Sequence, residues 1–167
     1  MRLHRSSAIA LTIVAALAAA CAGDATTEPK VDVTGTYTLA SINGKAMPYK
    51  DAYTFFENGV TKSDSTFALD GSITLNANHA FVLAVTFRDK IYAGSTVFVD
   101  ETYTDHASGS WTLSGTTLTV TDVTDGVSNT VPATLVGNNI TIAVADTIRT
   151  SATATTIRQV VFVFTKP

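Results

Sequence analysis

The sequence predicts an all-β domain, an antiparallel up-and-down meander of about eight to ten strands that closes into a barrel. The first observation is composition, because threonine occurs 29 times and β-branched side chains suit a pleated strand. The second is the alternation of apolar and polar residues in many short runs. The third is the turn chemistry between those runs, and no stretch shows convincing helical periodicity.

The alternating runs define the predicted strands in chain order. In the run 81–88, for example, one face consists of Phe81, Leu83, Val85 and Phe87. The other face has both apolar and polar residues. Residues that tolerate positive φ separate the runs, as at Asn43-Gly44, Asn58-Gly59, Asn76-Ala77-Asn78, Ser114-Gly115, Asp125-Gly126 and Gly137-Asn138-Asn139. Strands are predicted at 34–42, 52–57, 61–75, 80–88, 95–104, 108–114, 116–121, 128–136, 139–145 and 156–165.

The short spacing and sequential order of these runs favour a meander over a crossover topology. A meander of this size must deal with its edge strands. Closing into an up-and-down barrel removes the edges completely, whereas a two-sheet β-sandwich, the alternative, removes them only in part. The barrel is therefore the preferred prediction.

Residues 1–20 are predicted to be a signal peptide rather than part of the fold. Arg2 and Arg5 give a basic start, residues 8–20 are uncharged and apolar, and the small residues 18–20 form a cleavage region. As a helix this apolar run would rise about 20 Å, too little to cross a hydrocarbon core of about 30 Å. The segment is therefore predicted to be a secretory signal and not a membrane span.

Cys21, the only cysteine, follows directly. The segment Leu17-Ala18-Ala19-Ala20-Cys21 resembles the lipobox of bacterial lipoproteins. That resemblance implies that Cys21 becomes the mature N-terminus and carries acyl chains that anchor the protein to a membrane. Ala22, where an aspartate would signal inner-membrane retention, implies the outer membrane of a Gram-negative bacterium. The expected location is the cell envelope.

The mature chain divides into a tether and one domain. Residues 21–33 are small, polar and interrupted by Pro29, which predicts a lipidated N-terminus with a flexible tether. Residues 34–167 are enough for a single domain with its own core. Removing Arg2 and Arg5 leaves nine basic against fourteen acidic residues. The resulting charge of about −5 argues against a nucleic-acid partner.

Several hairpins suggest a family. Gly35-Thr36-Tyr37-Thr38-Leu39 with Ile42-Asn43-Gly44-Lys45-Ala46-Met47-Pro48, the run 71–81, the hairpin 109–120 and the closing Phe162-Val163-Phe164-Thr165-Lys166 resemble the corresponding parts of lipocalin-like bacterial lipoproteins. The run 71–81 has Asn78-His79 where the family usually has Asp-Gly, and Tyr37 stands where true lipocalins usually carry tryptophan. The resemblance implies a lipocalin-like barrel that could hold one small apolar ligand, and it implies no reaction.

The ligand-binding prediction uses the aromatic residues expected on the inner faces of the strands. These candidates are Tyr37, Phe81, Trp111, Phe162 and Phe164. An eight-stranded barrel is just wide enough to be filled by side chains or to hold one small ligand. The alternative is therefore a filled core, in a non-enzymatic structural or interaction module that contacts an envelope protein or polysaccharide. The sequence does not indicate an oligomeric state.

Candidate catalytic and metal-binding groups are sparse. The signal-free chain has two histidines, His79 in a predicted turn and His106 beside the acidic run 100–105. Alternation places Asp100 and Glu101 on opposite faces, and no calcium-binding loop, nucleophile elbow or phosphate loop is present. We therefore expect no enzyme activity, no cofactor and no metal site.

Overall fold

The computed structural model describes residues 32–124 and 127–167. Val33–Pro167 forms a compact unit of ten strands, and the described residues contain no helix, so none that could cross a membrane. The strands are β1 (Gly35–Ile42), β2 (Lys45–Ala46), β3 (Tyr49–Glu57), β4 (Val60–Leu75), β5 (Ala80–Ala93), β6 (Thr96–Ser114), β7 (Thr117–Thr124), β8 (Val127–Val136), β9 (Asn139–Arg149) and β10 (Thr155–Thr165).

Eight of these strands close into a barrel. Each strand from β4 to β10 pairs antiparallel with the next, β10 pairs with β1, and β1 pairs with β4. The closing register places Tyr37 opposite Ile73 and Leu39 opposite Phe164. The predicted antiparallel meander and the barrel are thus confirmed.

Two strand predictions were wrong in detail. The predicted strands 95–104 and 108–114 are one continuous strand, β6, because residues 105–107 pair with Val85, Ala84 and Leu83 of β5. A polar, exposed run such as Asp105-His106 stays in the sheet when its neighbour supplies hydrogen-bond partners. The two-residue strand β2, which pairs with Ser41 and Ile42, was not predicted.

One end of the barrel, called here the closed half, has all eight strands paired around a filled core. Its apolar side chains are almost completely buried: Tyr37, Ile73, Leu75, Phe81, Trp111, Leu118, Leu135, Ile140 and Phe164. The polar atoms among them have partners. The Tyr37 hydroxyl donates to the Val33 carbonyl at 2.8 Å, and the Trp111 indole N–H donates to the Asn76 carbonyl at 3.1 Å.

The other end, called here the open half, is a curved sheet rather than a closed barrel. It consists of β3 and of the segments 60–68, 86–93, 96–108, 143–149 and 155–161 of β4, β5, β6, β9 and β10. Here β3 replaces β1 as the partner of β4. Side chains bridge β3 to β10, since Arg158 forms ion pairs with Asp51 and Asp146.

The barrel opens where the β7–β8 hairpin leaves its neighbours. Pairing of β6 with β7 ends at Gly109 and Asp122, and pairing of β8 with β9 ends at Ala133 and Ile142. The residue before Ala133 is Pro132, which has no N–H to donate to a neighbouring strand. Within the described residues, segments 96–108 of β6 and 143–149 of β9 therefore have no backbone partner on the sides that face each other.

Candidate ligand-binding cavity

An apolar cavity lies beside this opening. Its volume is about 240 Å³. Strands β5, β6, β9 and β10 contribute its lining: Leu83, Val85, Phe87, Asp105, His106, Ala107, Ile142, Val144, Phe162 and Phe164. Only two of these residues are polar, and both are exposed residues of β6. The cavity thus has an apolar interior and a polar edge at β6.

A larger, more polar cavity of about 370 Å³ adjoins it in the open half. The two share Phe87, Asp105, Val144 and Phe162, so they are neighbouring parts of one concave surface. The remaining lining of the larger cavity consists of Ile42, Tyr49, Asp51, Tyr53, Thr66, Asp89, Tyr103, Ala145, Asp146, Arg158 and Val160. We refer to the two as the apolar cavity and the acidic cavity.

Strand alternation explains why the two cavities differ. Along β5 the inward residues are Phe81, Leu83, Val85 and Phe87, and the next residue on that face is Asp89. The same change occurs on β9, from Ile142 and Val144 to Asp146, and on β10, from Phe162 and Val160 to Arg158. The inner surface therefore changes from apolar to charged along the barrel axis.

Arg158 neutralises part of the acidic cavity. Its guanidinium contacts Asp146 at 2.7 Å and also Asp51, and it lies over the Tyr53 ring at 4.3 Å from the centroid. Burial opposes its charge, but the hydrogen bond to Asp146 and the charges of both carboxylates outweigh burial and raise the pKa of Arg158. Arg158 thus remains charged while joining β3, β9 and β10.

Two tyrosine–aspartate pairs lie in the same half. The Tyr103 hydroxyl donates to Asp89 Oδ2 at 2.8 Å, and Tyr53 hydrogen-bonds to Asp64. Burial and the adjacent carboxylates raise the pKa of both tyrosines, so both hydroxyls stay protonated as donors. The side chains of Asp64 and Asp89 each keep one buried oxygen, Oδ1, that accepts no hydrogen bond.

Asp64 is the most deeply buried acid among the described residues, with 5% of its surface exposed. Burial first, and then the charge of Asp89, raise its pKa, while hydrogen bonds from Tyr53 and Thr66 act in the opposite direction. It lies in a third cavity with Tyr53 and Asp146, next to the acidic cavity that shares those two residues.

The predicted ligand-binding residues separate into two groups. Phe162 lines both cavities and Phe164 lines the apolar one. Tyr37, Phe81 and Trp111 are buried in the core of the closed half and are not among the residues that line either cavity. The prediction of Cys21 as the lipidation site lies outside the described residues.

Sequence reasoning missed the polar half of the cavity. The signal was present in β5, where the alternation of Phe81 to Phe87 continues into Asp89, and in β10, where it continues back to Arg158. The predicted strand 80–88 ends before Asp89, and Arg158 lies within the predicted strand 156–165 but is a charged residue on a face expected to be apolar.

The two histidines have different surroundings. His79 adopts φ 63° in the turn after β4, and its ring lies 4.7 Å from that of Trp111, centroid to centroid. His106 lies at the edge of the apolar cavity. No group of three or more His, Cys, Asp or Glu side chains within residues 32–124 and 127–167 is arranged to hold a metal ion.

Comparisons with known proteins add no assignment. No family model, no curated protein and no solved structure matches this chain.

Proposed function

We propose that this protein is a lipid-anchored lipoprotein of the cell envelope whose lipocalin-like barrel binds a small, mainly apolar ligand. The observation that carries the proposal is the apolar cavity beside the opening between β6 and β9. A cavity with an apolar lining and a few polar groups at its edge is the usual form of a small-molecule site. The opening offers a route for the ligand to enter.

The remainder of the proposal rests on the sequence. The lipobox-like segment ending at Cys21 supports acylation and anchoring to the outer membrane, and the tether at 21–33 supports a domain that faces solvent. Of the carboxylates in the acidic cavity, Asp51 and Asp146 are engaged with Arg158, and Asp89 accepts from the Tyr103 hydroxyl. The ring of His79 packs beside that of Trp111. A binding protein without catalytic activity is the reading that these contacts favour.

Native mass spectrometry of the protein purified from its own membrane tests the proposal. We expect an adduct of a few hundred daltons, a mass set by the size of the two cavities. Ala107→Phe should abolish the adduct, because Ala107 lines the apolar cavity and a phenyl ring there would fill it. Ala143→Phe is the matched control, since Ala143 is exposed on β9, between the lining residues Ile142 and Val144.

A ligand-free mass for the native protein, or an adduct that survives Ala107→Phe, would count against the proposal. The alkyl-chain dependence of binding supplies an independent measure. Each methylene added to an alcohol such as octanol should tighten binding about fourfold until the cavity is full. Affinity that does not change with chain length would exclude an apolar site.

A second candidate function is binding of a partner protein, and one observation favours it. The facing edges of β6 (96–108) and β9 (143–149) carry backbone groups without a strand partner in the described chain. Such edges accept an added strand through main-chain hydrogen bonds. Cross-linking from Thr104 or Thr147 to one envelope protein, with no retained small molecule, would favour this candidate over ligand binding.

A further inference from the structure

The acidic cavity contains more negative charge than its own cation neutralises. Arg158 pairs with Asp51 and Asp146, and Lys62, at the far end of the inner face of β4, pairs with Glu57 at 2.6 Å. In residues 32–124 and 127–167 no ion pair engages Asp89 or Asp105, which line this cavity, or Asp64, which lines the adjoining third cavity. Glu101 adds a further negative charge directly opposite Asp89 on β6.

Two of these acids have unmet hydrogen-bonding capacity in a buried position. Asp64 is 95% buried, since 5% of its surface is exposed, and its Oδ1 has no partner. Asp89 Oδ1 is buried and also has no partner. Cross-strand pairing of Thr66 with Asp89 and of Asp64 with Ile91 makes the two acids diagonal neighbours on one face. These oxygens have almost no accessible surface, so they act on a ligand in the acidic cavity through their charge and not through direct contact. Their negative potential favours a positive group in that cavity.

The surroundings favour an organic cation over a bare metal ion. The described acids do not form a metal-binding group, whereas aromatic rings line the cavity beside them. Tyr103 and Phe87 have ring centroids 5.8 Å apart, and Tyr53 already holds the Arg158 guanidinium over its face. Aromatic faces beside carboxylates are the usual environment for alkylammonium groups.

We infer that the ligand is an amphiphilic organic cation, with its alkyl part in the apolar cavity and its ammonium group at Tyr103 in the acidic cavity. Asp105 and Asp89 flank Tyr103 on opposite sides, because the Phe87–Tyr103 pair lies between the Val85–Asp105 and Asp89–Glu101 pairs. This inference rests on the proposed binding function and specifies its ligand class. Asp105 lies at the boundary between the apolar and acidic cavities, because it lines both. Phe87 and Phe162, which also line both, would contact the first carbons of the chain.

Three probes that share a ten-carbon chain separate head-group charge from apolar burial. Calorimetry should use decyltrimethylammonium, decanol and decanoate below their micellar concentrations, with the full-length protein carrying Cys21→Ser so that it cannot be acylated. We expect the cation to bind at least about tenfold tighter than decanol, and decanoate to bind most weakly, because one charge near several carboxylates changes the binding energy by this order. The preference should shrink at high salt.

Substitutions then locate the head group. Asp89→Asn and Asp105→Asn should each weaken decyltrimethylammonium binding about tenfold and leave decanol binding unchanged. Asp105 is exposed, so its variant should fold even if the variant at the partly buried Asp89 does not. Asp100→Asn is the matched control, because it removes the same charge from the same sheet at a residue that pairs outside the cavities with Arg88 and Lys90.

The outcomes distinguish the inference from the function on which it rests. Equal affinity for decanol and the cation, or insensitivity to both aspartate variants, would overturn the cationic ligand but leave an apolar-ligand protein. Calcium chloride that binds in an Asp89-dependent way while decyltrimethylammonium does not bind would replace the inference with an inorganic cation site. Failure of all three probes, with Ala107→Phe indistinguishable from the unaltered protein, would overturn both.

Discussion

The closed and open halves of this barrel share strands β4, β5, β6, β9 and β10, but the inner faces of these strands form a core in one half and line a cavity in the other. In the closed half, inward side chains meet across the axis and are almost fully buried, as with Tyr37 and Phe164, each 1% exposed. In the open half, the β7–β8 hairpin has left, and the inward residues face a cavity lined by carboxylates, tyrosines and one arginine. The difference shows that strand pairing alone supports the sheet, while closure determines whether its inner face becomes a core.

The two halves also differ in how they handle polar atoms. The closed half contains few, and the Tyr37 hydroxyl and the Trp111 indole N–H each donate to a backbone carbonyl. The open half contains many, and it leaves Asp64 Oδ1 and Asp89 Oδ1 without donors. We therefore expect the closed half to supply most of the stability and the open half to contain the functional residues. Buried polar atoms without hydrogen-bond partners occur in native proteins mainly at functional sites.

The largest expected effect comes from truncating two phenylalanines of one strand. Phe164→Ala should lower the free energy of unfolding by about 4 kcal/mol, because its ring is almost fully buried in the core even though it also borders the apolar cavity. Phe162→Ala should cost about 1–2 kcal/mol, because Phe162 is only partly buried and already lines both cavities. Denaturant unfolding of both variants measures the contrast, and equal losses would contradict the division into halves.

A smaller effect is expected where the two halves meet. Pairing of β6 with β7 runs from Gly109 to Ser114, and Gly109 is the paired residue nearest the open half. A Cβ at Gly109 would overlap the Thr121 carbonyl oxygen. Gly109→Ala should therefore cost about 3 kcal/mol, because the backbones of β6 and β7 must separate. Ser110→Ala, at the exposed neighbouring position, is the control and should change thermal unfolding little. Unaltered stability of Gly109→Ala would show that this close approach of β6 and β7 can relax without cost.

The smallest effect is expected in the open half, and its sign is opposite. Burial raises the pKa of Asp64 above its ordinary 3.8, so the folded protein holds that proton more tightly than the unfolded chain does. This contribution to stability is complete below pH 3.8 and is lost as pH rises through the folded-state pKa. Asp64→Asn, which can still accept from Tyr53, should therefore be more stable than the unaltered protein at pH 7, by about 1 kcal/mol.

Urea unfolding at several pH values checks this prediction. The advantage of Asp64→Asn should disappear toward acid pH, where Asp64 of the unaltered protein is protonated in both states. A variant that is less stable at pH 7 would mean that the ionised carboxylate contributes favourably. In that case, the charges of the open half would contribute favourably to the free energy of folding.

Much of the fold could be predicted from local sequence, because alternation and turn residues act over a few positions. The run Phe81 to Phe87 identified β5, and Asn43-Gly44 and Ser114-Gly115 identified hairpins, each with positive φ at its glycine. The continuity of β6 through Asp105 and His106 could not be predicted, since β5 supplies its hydrogen bonds from distant residues.

The candidate site was predictable only in its apolar part. Phe162 and Phe164 were recognised because large apolar residues on an inward face are expected to meet a core or a ligand. Asp89 and Arg158 read as ordinary polar residues at strand ends, and Asp51 is far from both in sequence. Their convergence depends on β3 facing β10 across the open half.

By itself, the sequence determined that the domain is all-β, where most strands run and which apolar residues face inward. The lipobox-like segment resembles that of lipoproteins, and the envelope location that it implies stays a prediction. Tertiary structure alone decided which inward residues form a core and which line a cavity. The physical reason is that alternation sets the face of each side chain locally, whereas the departure of β7 and β8 near Gly109 and Pro132 sets what that face meets.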